Sequence, residues 1–358
     1  MADQKERIPG LHLSSSQAGM EHAHALDRPR VPGPHADRTR RNLLRCAGAA
    51  LLAGAMGPTL SARAAPANQP SFATLDMTWV DVGRKRGVPV RLYLPETLHS
   101  VPLVVFSHGI GGSRRGYSWL GQHFASNGIA SLHMQHVGSD SQLWSGNIFN
   151  VVQRLRQAAR EDEALERAHD VGFVLDTLLD SPLGTRIDAG RIIAAGHSYG
   201  ANTTLLASGA QVQRNGRPLD LRDARIRAAI VISAPPFYGE PEPRKILQAV
   251  TIPSLHITCT DDVIHIPGYY SAAEDRVATF DATGSTRKWL TVYRGGSHSM
   301  FTDRGTPGGI VLNARVKTAT QALSLAFIGA VLDDDGSELS DWPRRHAAIL
   351  ARFSAGAA

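Results

Sequence analysis

The sequence predicts an α/β fold with a mostly parallel central sheet of about eight strands and helices on both faces. From residue 75 onward, short apolar runs of strand length alternate with longer helical patterns, as in sheets built from strand–helix units. The central runs are nearly continuous in apolar residues, which is typical of strands buried on both faces. The predicted strands are 76–82, 88–94, 103–107, 130–135, 191–196, 228–233, 254–260 and 288–293, and the predicted helices are 117–127, 161–179, 199–208, 244–249 and 312–332.

The charge of the chain is concentrated near its N-terminus. The 358 residues are 42% hydrophobic and 20% charged, with a net charge of +6, a composition that suits one large globular core. Residues 1–64 hold 9 Lys/Arg and 5 Asp/Glu. The remaining residues hold 29 Lys/Arg and 27 Asp/Glu, a net charge of only +2. The basic character therefore belongs to this leading segment, and we expect no nucleic-acid partner.

Residues 1–64 are typical of a twin-arginine-type signal peptide with a long n-region. The pair Arg40-Arg41 precedes a weakly apolar run, 46–60, that is too short and too mild to be a stable membrane anchor. Small residues at Ala62 and Ala64 predict cleavage after Ala64. We therefore expect the twin-arginine export machinery to bind the precursor and deliver the protein to the periplasm or the exterior. Both Met1 and Met20 are candidate starts.

The remaining chain divides into three predicted parts. A Pro/Ala/Asn-rich linker covers 65–74, the α/β domain covers 75–335, and a polar C-terminal tail covers 336–358. Cys46 is removed with the signal peptide, so Cys259 is left without a partner and no internal disulfide is expected. Because Cys259 lies in an apolar strand pattern, we interpret it as an inert buried thiol.

The motif Gly196-His197-Ser198-Tyr199-Gly200 supplies a candidate nucleophile. It lies between an apolar strand and a helical pattern, and this strand–turn–helix context resembles the nucleophile elbow of the α/β-hydrolase fold. A nucleophilic serine there needs a tight, strained turn, and the flanking glycines remove side chains that would clash within it. We therefore predict that Ser198 is the nucleophile. Gly-x-Ser-x-Gly alone is a weak signal, and its placement makes it specific.

A glycine-rich loop follows the third predicted strand. It reads Ser107-His108-Gly109-Ile110-Gly111-Gly112, and in α/β-hydrolases the loop after this strand supplies one oxyanion donor while the residue after the nucleophile supplies the other. The predicted donors are the backbone N–H groups of Ile110 and Tyr199. We interpret His108 as a brace for the loop.

The base and the acid should follow later strands in the order Ser, Asp, His. His298 lies in the loop Gly295-Gly296-Ser297-His298 after the last predicted strand, and we predict that it is the base. The acid has two candidates, because Asp261 and Asp262 both follow the predicted strand 254–260. Asp262 is preferred, since acids in this fold usually lie three residues beyond a small residue at the strand end, here Cys259.

Taken together, these motifs resemble those of the bacterial "predicted dienelactone hydrolase" group of the α/β-hydrolase superfamily. The resemblance covers roughly residues 75–330 through Phe-Ser-His-Gly-Ile-Gly-Gly-Ser, His-Met-Gln-His-Val-Gly-Ser-Asp, Gly-His-Ser-Tyr-Gly-Ala and Gly-Gly-Ser-His-Ser-Met-Phe. That group is itself similar to plasma-type platelet-activating factor acetylhydrolases. The resemblance implies an esterase or lipase-like acylhydrolase without metal or other cofactor, although Ser198 stands where true dienelactone hydrolases have cysteine. His133 and His136 do not suggest a metal site, because side chains three positions apart on a strand point to opposite faces of the sheet.

The predicted function is an exported serine hydrolase that cleaves carboxylic esters of lipids or small acyl groups through an acyl-enzyme. An amidase, a polyesterase or a cofactor-free haloperoxidase would use the same triad, and a binding protein on this fold would normally lack one of its members. Three loops near the strand ends could line the substrate site or merely pack together: 137–160, expected as a partial lid, 235–238 and 266–270.

Overall fold

The computed structural model describes residues 71–266, 268–303 and 309–356, and of Ile148 and Ile310 it describes the backbone alone. The predicted signal peptide lies outside the described residues, so cleavage and export stay predictions. The strands are β1 (Phe72–Asp81), β2 (Arg86–Pro95), β3 (Val101–Ser107), β4 (Ala130–Met134), β5 (Ile187–His197), β6 (Val212–Arg214), β7 (Arg217–Leu219), β8 (Ile226–Ile232), β9 (Ser254–Cys259), β10 (Ile264–Ile266), β11 (Tyr269–Ser271), β12 (Lys288–Tyr293) and β13 (Leu350–Ala355). The α-helices are α1 (Ser118–Ser126), α2 (Val151–Ala158), α3 (Glu161–Asp180), α4 (Tyr199–Ala207), α5 (Pro243–Leu247), α6 (Ala273–Ala282), α7 (Ile310–Leu332) and α8 (Ser337–His346).

Nine strands form one twisted sheet in the order β1-β2-β4-β3-β5-β8-β9-β12-β13. The pairs from β4 through β12 are parallel, whereas β1 with β2, β2 with β4, and β12 with β13 are antiparallel. This confirms the predicted mostly parallel α/β sheet, and all eight predicted strands are present. Two short hairpins, β6–β7 and β10–β11, were not predicted.

The strand order brings two loops together at one edge of the sheet. The chain passes from β3 to β4 on one side and returns to place β5 on the other side of β3. Ser107, at the end of β3, is the register partner of Gly196 near the end of β5. Ligands of open α/β sheets bind where the chain reverses direction in this way, outside the carboxyl ends of the strands.

The C-terminal boundary of the predicted domain is corrected by the structure. We expected a polar tail over 336–358, but α8 and β13 occupy this region, and β13 pairs antiparallel with β12 as the ninth strand of the sheet. Trp342 of α8 is fully buried and its indole N–H donates to the Ala319 carbonyl at 3.0 Å. The segment folds because β13 pairs the backbone of β12, which would otherwise be an open edge. The domain therefore continues to Ala355.

Alternating side chains divide the core between the two faces of the sheet. Val104 and Phe106 of β3 pack in one apolar cluster with α1 and α7, whereas Leu103 and Val105 pack on the other face with α3. This is the period-two alternation of a strand covered on both sides. Within the part of the chain that the structure describes, no helix is both long enough and apolar enough to span a bilayer.

Candidate active site

Ser198 lies on a strained turn between β5 and α4. Its φ of 57° is unusual for a residue with a side chain, and its ψ is −126°. A Cβ atom on Gly196 would lie 2.2 Å from the Gly200 carbonyl oxygen, and one on Gly200 would lie 2.0 Å from the Ser107 carbonyl oxygen. Only glycine fits at either position, so the two glycines of the motif allow strand, turn and helix to approach as the sequence indicated.

His298 and Asp262 complete a hydrogen-bonded chain with this serine. His298 Nε2 lies 2.7 Å from Ser198 Oγ, and His298 Nδ1 lies 2.7 Å from Asp262 Oδ1. The loop after β12 carries the histidine, and the loop after β9 carries the aspartate. The structure therefore brings together the three residues that the sequence predicted as nucleophile, base and acid.

The geometry distinguishes the two neighbouring aspartates. Asp262 is fully buried and also accepts hydrogen bonds from Thr258 Oγ1 at 2.7 Å and from Arg276 Nη2 at 3.3 Å. Asp261 is exposed and accepts from the Thr260 hydroxyl at 2.9 Å. Burial by itself would raise the pKa of Asp262, but the hydrogen bond from His298 and the charge of Arg276 outweigh it and hold that pKa well below its usual range. Asp262 therefore stays ionised against the histidine.

The loop after β3 approaches Ser198 closely. A Cβ atom on Gly109 would lie 3.1 Å from the Ser198 Cβ. Among the described residues, neither the Ile110 nor the Tyr199 backbone N–H has a protein acceptor, whereas the next N–H, of Gly111, donates to the Ser139 carbonyl at 2.8 Å. Two N–H groups, one on the residue after Ser198 and one in the adjacent loop, thus have no protein acceptor, as the predicted oxyanion donors require.

His108 braces this loop from below. Its Nδ1 lies 2.7 Å from the Gly109 carbonyl oxygen, and its Nε2 accepts from the His136 backbone N–H at 3.1 Å. Because a carbonyl accepts, Nδ1 carries the proton and the ring is neutral. Burial holds the pKa of His108 well below its ordinary value, in keeping with the predicted role of a brace.

Sequence reasoning missed two residues that organise the site. His197, the first of the two variable residues of the motif, donates from Nε2 to the His298 carbonyl at 2.9 Å, and its Nδ1 accepts from the Tyr117 hydroxyl at 2.8 Å. Burial lowers the pKa of His197 to about 3, so this ring is neutral and its hydrogen bond holds the backbone of His298, the predicted base. No sequence signal marks it, since the motif accepts any residue there.

The second missed residue is Arg167 of α3. It is fully buried and donates to the Ser139 hydroxyl at 2.8 Å, to the Thr203 hydroxyl at 2.9 Å and to the His108 carbonyl. Its guanidinium lies 4.4 Å from the centre of the Tyr199 ring. Burial lowers the pKa of Arg167 to about 10, which still leaves it charged at neutral pH. Arg167 therefore ties the loop after β3 to α4, the elements that carry the two free N–H groups.

Two cavities meet at Ser198 and Ile110. One, of about 210 Å³, runs along α4 and is lined by loop residues that include Pro235, Phe237 and Tyr269. The other, of about 550 Å³, is lined by His298 and Trp144. Parts of all three loops noted in the sequence therefore line the cavities, with Ser141, Trp144, Leu155 and Ala159 contributed by 137–160.

Other chemistry-bearing residues lie away from these cavities. Cys259 is a buried free thiol, and burial raises its pKa, so it is not a thiolate at neutral pH. The His133 ring stacks on Phe106 with 4.8 Å between centroids, and His136 pairs with Asp170. Within 71–266, 268–303 and 309–356, no group of three or more His, Cys, Asp or Glu side chains is arranged to hold a metal ion.

Comparisons with known proteins agree with the architecture. The family model described as "Platelet-activating factor acetylhydrolase, isoform II" matches residues 82–148, which include the loop after β3. A ferulic acid esterase from Streptomyces cinnamoneus is similar in structure, with a TM-score of 0.60 and 23% sequence identity over 81% of this chain and 98% of that chain. The comparison with curated proteins returns no match. The chain therefore has the α/β-hydrolase type of fold.

Proposed function

We propose that this chain is a carboxylic ester hydrolase that works through Ser198, His298 and Asp262. The main support is the pair of 2.7 Å hydrogen bonds that join the three side chains beside two free backbone N–H groups. The matching family model and the structural neighbour are an acetylhydrolase and an esterase by name, which supports the same class of reaction.

The geometry suits acylation of the serine. Ser198 Oγ attacks the ester carbonyl carbon while His298 Nε2 takes its proton, and Asp262 stabilises the resulting imidazolium. The carbonyl oxygen becomes an oxyanion that accepts hydrogen bonds from the Ile110 and Tyr199 N–H groups. Collapse of this intermediate breaks the bond to the alcohol oxygen, which receives the proton from His298 Nε2.

Deacylation repeats these steps with water. His298 Nε2 takes a proton from a water molecule, whose oxygen attacks the acyl carbon, and the same two N–H groups stabilise the second oxyanion. The bond to Ser198 Oγ then breaks, the serine regains its proton from His298, and the carboxylic acid leaves. No cofactor enters either half of the reaction.

Covalent labelling tests the proposal directly. A fluorophosphonate probe should label the wild-type protein and leave Ser198→Ala unlabelled, and the wild-type protein should hydrolyse p-nitrophenyl butyrate. Labelling that persists in Ser198→Ala would overturn the assignment of the nucleophile. Turnover of anilide analogues faster than of matched esters would instead make the protein an amidase.

We also infer that the protein is exported as a folded precursor, from the twin arginines and the cleavage site in residues 1–64. The double substitution Arg40→Lys/Arg41→Lys should leave unprocessed precursor in the cytoplasm. Normally processed protein outside the cytoplasm in that variant would show that the arginine pair is incidental.

A further inference from the structure

We propose that the smaller cavity at Ser198 is the acyl pocket and that it selects uncharged acyl chains of medium length. The inference deepens the proposed ester hydrolysis and rests on it. It follows from three observations on the two cavities: which one the base faces, how large each is, and which charges lie along it.

The position of His298 assigns the two halves of an ester to the two cavities. The leaving alcohol oxygen takes its proton from His298 Nε2, so the alcohol must lie on the side of the serine where the histidine stands. His298 lines the larger cavity and not the smaller one, whereas Ser198 and Ile110 line both. The alcohol therefore occupies the larger cavity, and the acyl substituent extends into the smaller one.

The volume of the smaller cavity sets the chain length. An engineered protein cavity of about 150 Å³ holds benzene, with six carbon atoms, so the 210 Å³ here corresponds to roughly eight. A chain of this length would contact Leu155, Leu165 and Leu206 along the cavity. Longer acyl chains need either movement of these walls or exit into solvent.

Charges along the smaller cavity select against anionic chains. Arg214 is one of its lining residues, and its guanidinium is bound to the carboxylates of both Glu161 and Glu240, which also line the cavity. One cation against two anions leaves this part of the wall with a negative charge. A second carboxylate at the far end of an acyl chain would be repelled there, so the pocket favours fatty acyl groups over dicarboxylic half-esters.

The larger cavity differs from the smaller one mainly in size. Its lining is mostly apolar as well, with Arg115, Ser141, Asp303 and His265 among its polar residues, and the Trp144 indole N–H donates to the Gly111 carbonyl at 2.8 Å on its wall. Its volume of about 550 Å³ suits an alcohol bulkier than the acyl chain. The substrate class that fits both cavities is a medium-chain fatty acyl ester of such an alcohol.

The test is an acyl-length profile of kcat/KM with p-nitrophenyl esters from acetate to palmitate, which keep the leaving group constant. In the wild-type protein kcat/KM should rise by about fourfold per methylene as far as hexanoate or octanoate, the amount expected for burying each methylene. It should then fall at laurate and palmitate. Octanoate should also exceed the suberate half-ester.

Substitutions of neighbouring residues should move this maximum in opposite directions. Ala164→Phe, or the milder Ala164→Leu, fills the smaller cavity and should shift the maximum to butyrate or shorter. Leu165→Ala enlarges it and should shift the maximum beyond octanoate. Ser141→Trp, on an exposed residue of the larger cavity, is the matched control: it should discriminate against bulky alcohols and leave the acyl maximum in place.

The outcomes separate this inference from the proposed function. An acyl maximum that moves in Ser141→Trp and not in either Ala164 variant would mean that the two cavities are assigned the wrong way round. A profile that stays flat to palmitate in all variants would show that the chain does not bind in the smaller cavity. Failure of the proposed function looks different, since the wild-type protein would then hydrolyse none of the esters and resist the fluorophosphonate.

Discussion

Among the described residues, two hydrogen-bonded Ser–His–Asp sets have the same connectivity but differ in the access to their histidines and in the backbone of their serines. In the first, His298 joins Ser198 and Asp262. In the second, His136 Nδ1 lies 2.9 Å from Asp170 Oδ2, and His136 Nε2 lies 3.2 Å from Ser107 Oγ. A search by side-chain geometry alone would return both.

Access separates the two sets. The His298 side chain is 19% exposed and lines a cavity, whereas His136 and Asp170 are fully buried. Burial, helped by the charge of Arg167, lowers the pKa of His136 to about 3, so this ring does not accept a proton near neutral pH. Asp170 is further bound by Arg84 and Arg86, each at 2.9 Å.

The backbone separates them as well. Ser107 ends an ordinary strand, whereas Ser198 stands on a left-handed turn at the start of a helix, beside two free N–H groups. The comparison teaches that the same three side chains can share one connectivity in different settings: only the first set combines a partly exposed histidine, a serine on a strained turn and nearby N–H groups without a protein acceptor. The second set has the contacts of a structural network that holds α3 against β3 and β4.

Removing the serine of each set in turn should give the largest difference in turnover between the two sets. Ser198→Ala should lower kcat by at least about ten-thousandfold, because no other side chain replaces the nucleophile. Ser107→Ala should keep kcat within about threefold, since its hydroxyl contacts only His136 and the Met134 sulfur among the described residues and Ser107 lines neither cavity. Steady-state kinetics with p-nitrophenyl butyrate decides the matter, and a comparable loss in Ser107→Ala would assign chemistry to the second set.

The two adjacent aspartates give the next largest contrast. Asp262→Asn should lower kcat by at least about a hundredfold with folding intact, because the imidazolium loses its stabilising charge. Asp261→Asn should cost less than about tenfold, since Asp261 only accepts a hydrogen bond from Thr260. Circular dichroism controls for folding. If Asp261→Asn is the more damaging change, the acid is the exposed neighbour.

Substitution of Asp170, the acid of the second set, should change the stability of the fold and not the turnover. Asp170→Asn removes the buried carboxylate that Arg84, Arg86 and His136 share, while Arg84 keeps its pairs with Asp81 and Glu166 and Arg86 its pair with Glu163. It should destabilise the fold by about 2–4 kcal/mol, with kcat of the folded fraction little changed. The control is Asp76→Asn, a partly exposed partner of Arg91, which should cost less than about 1 kcal/mol. Urea unfolding measures both. Equal losses in the two variants would mean that the buried network contributes no more than a surface pair.

The smallest effect expected is a pH dependence contributed by His136. The pKa of His136 is about 3 in the folded state and near 6.5 in the unfolded state. As the pH falls below about 6.5, the unfolded state takes up a proton on this ring and the folded state does not. The free energy of unfolding therefore decreases. At pH 5 the loss from this one ring is about 2 kcal/mol. Unfolding midpoints from pH 7 to 5 should fall less steeply in His136→Gln than in the wild-type protein. Parallel curves would show that the ring does not stay neutral in the fold.

Much of the first set could be predicted from sequence, and almost none of the second. Ser198 and His298 were predictable because local patterns mark them: an apolar strand, a turn rich in glycine, and a position in chain order. Arg167 and Asp170 carry no such mark, since charged residues in a helix usually face solvent, and their burial depends on partners far away in the chain. The choice of Asp262 over Asp261 could be predicted less firmly than Ser198 or His298, because it depends on the residue at which β9 ends.

The ninth strand was missed for a related reason. Leu350–Ala355 is short, and its outer side chains are exposed. Its strand conformation depends on pairing with β12 and not on its own pattern. Short edge strands of this kind become visible only once the sheet is assembled.

This last strand also imposes an order on biosynthesis. During translation β12 emerges well before β13, so its outer backbone has no partner while α7 and α8 are still being made. The sheet is therefore completed only after α7 and α8 have been made, and until then the outer backbone of β12 is an unpaired edge of the kind that associates with other strands.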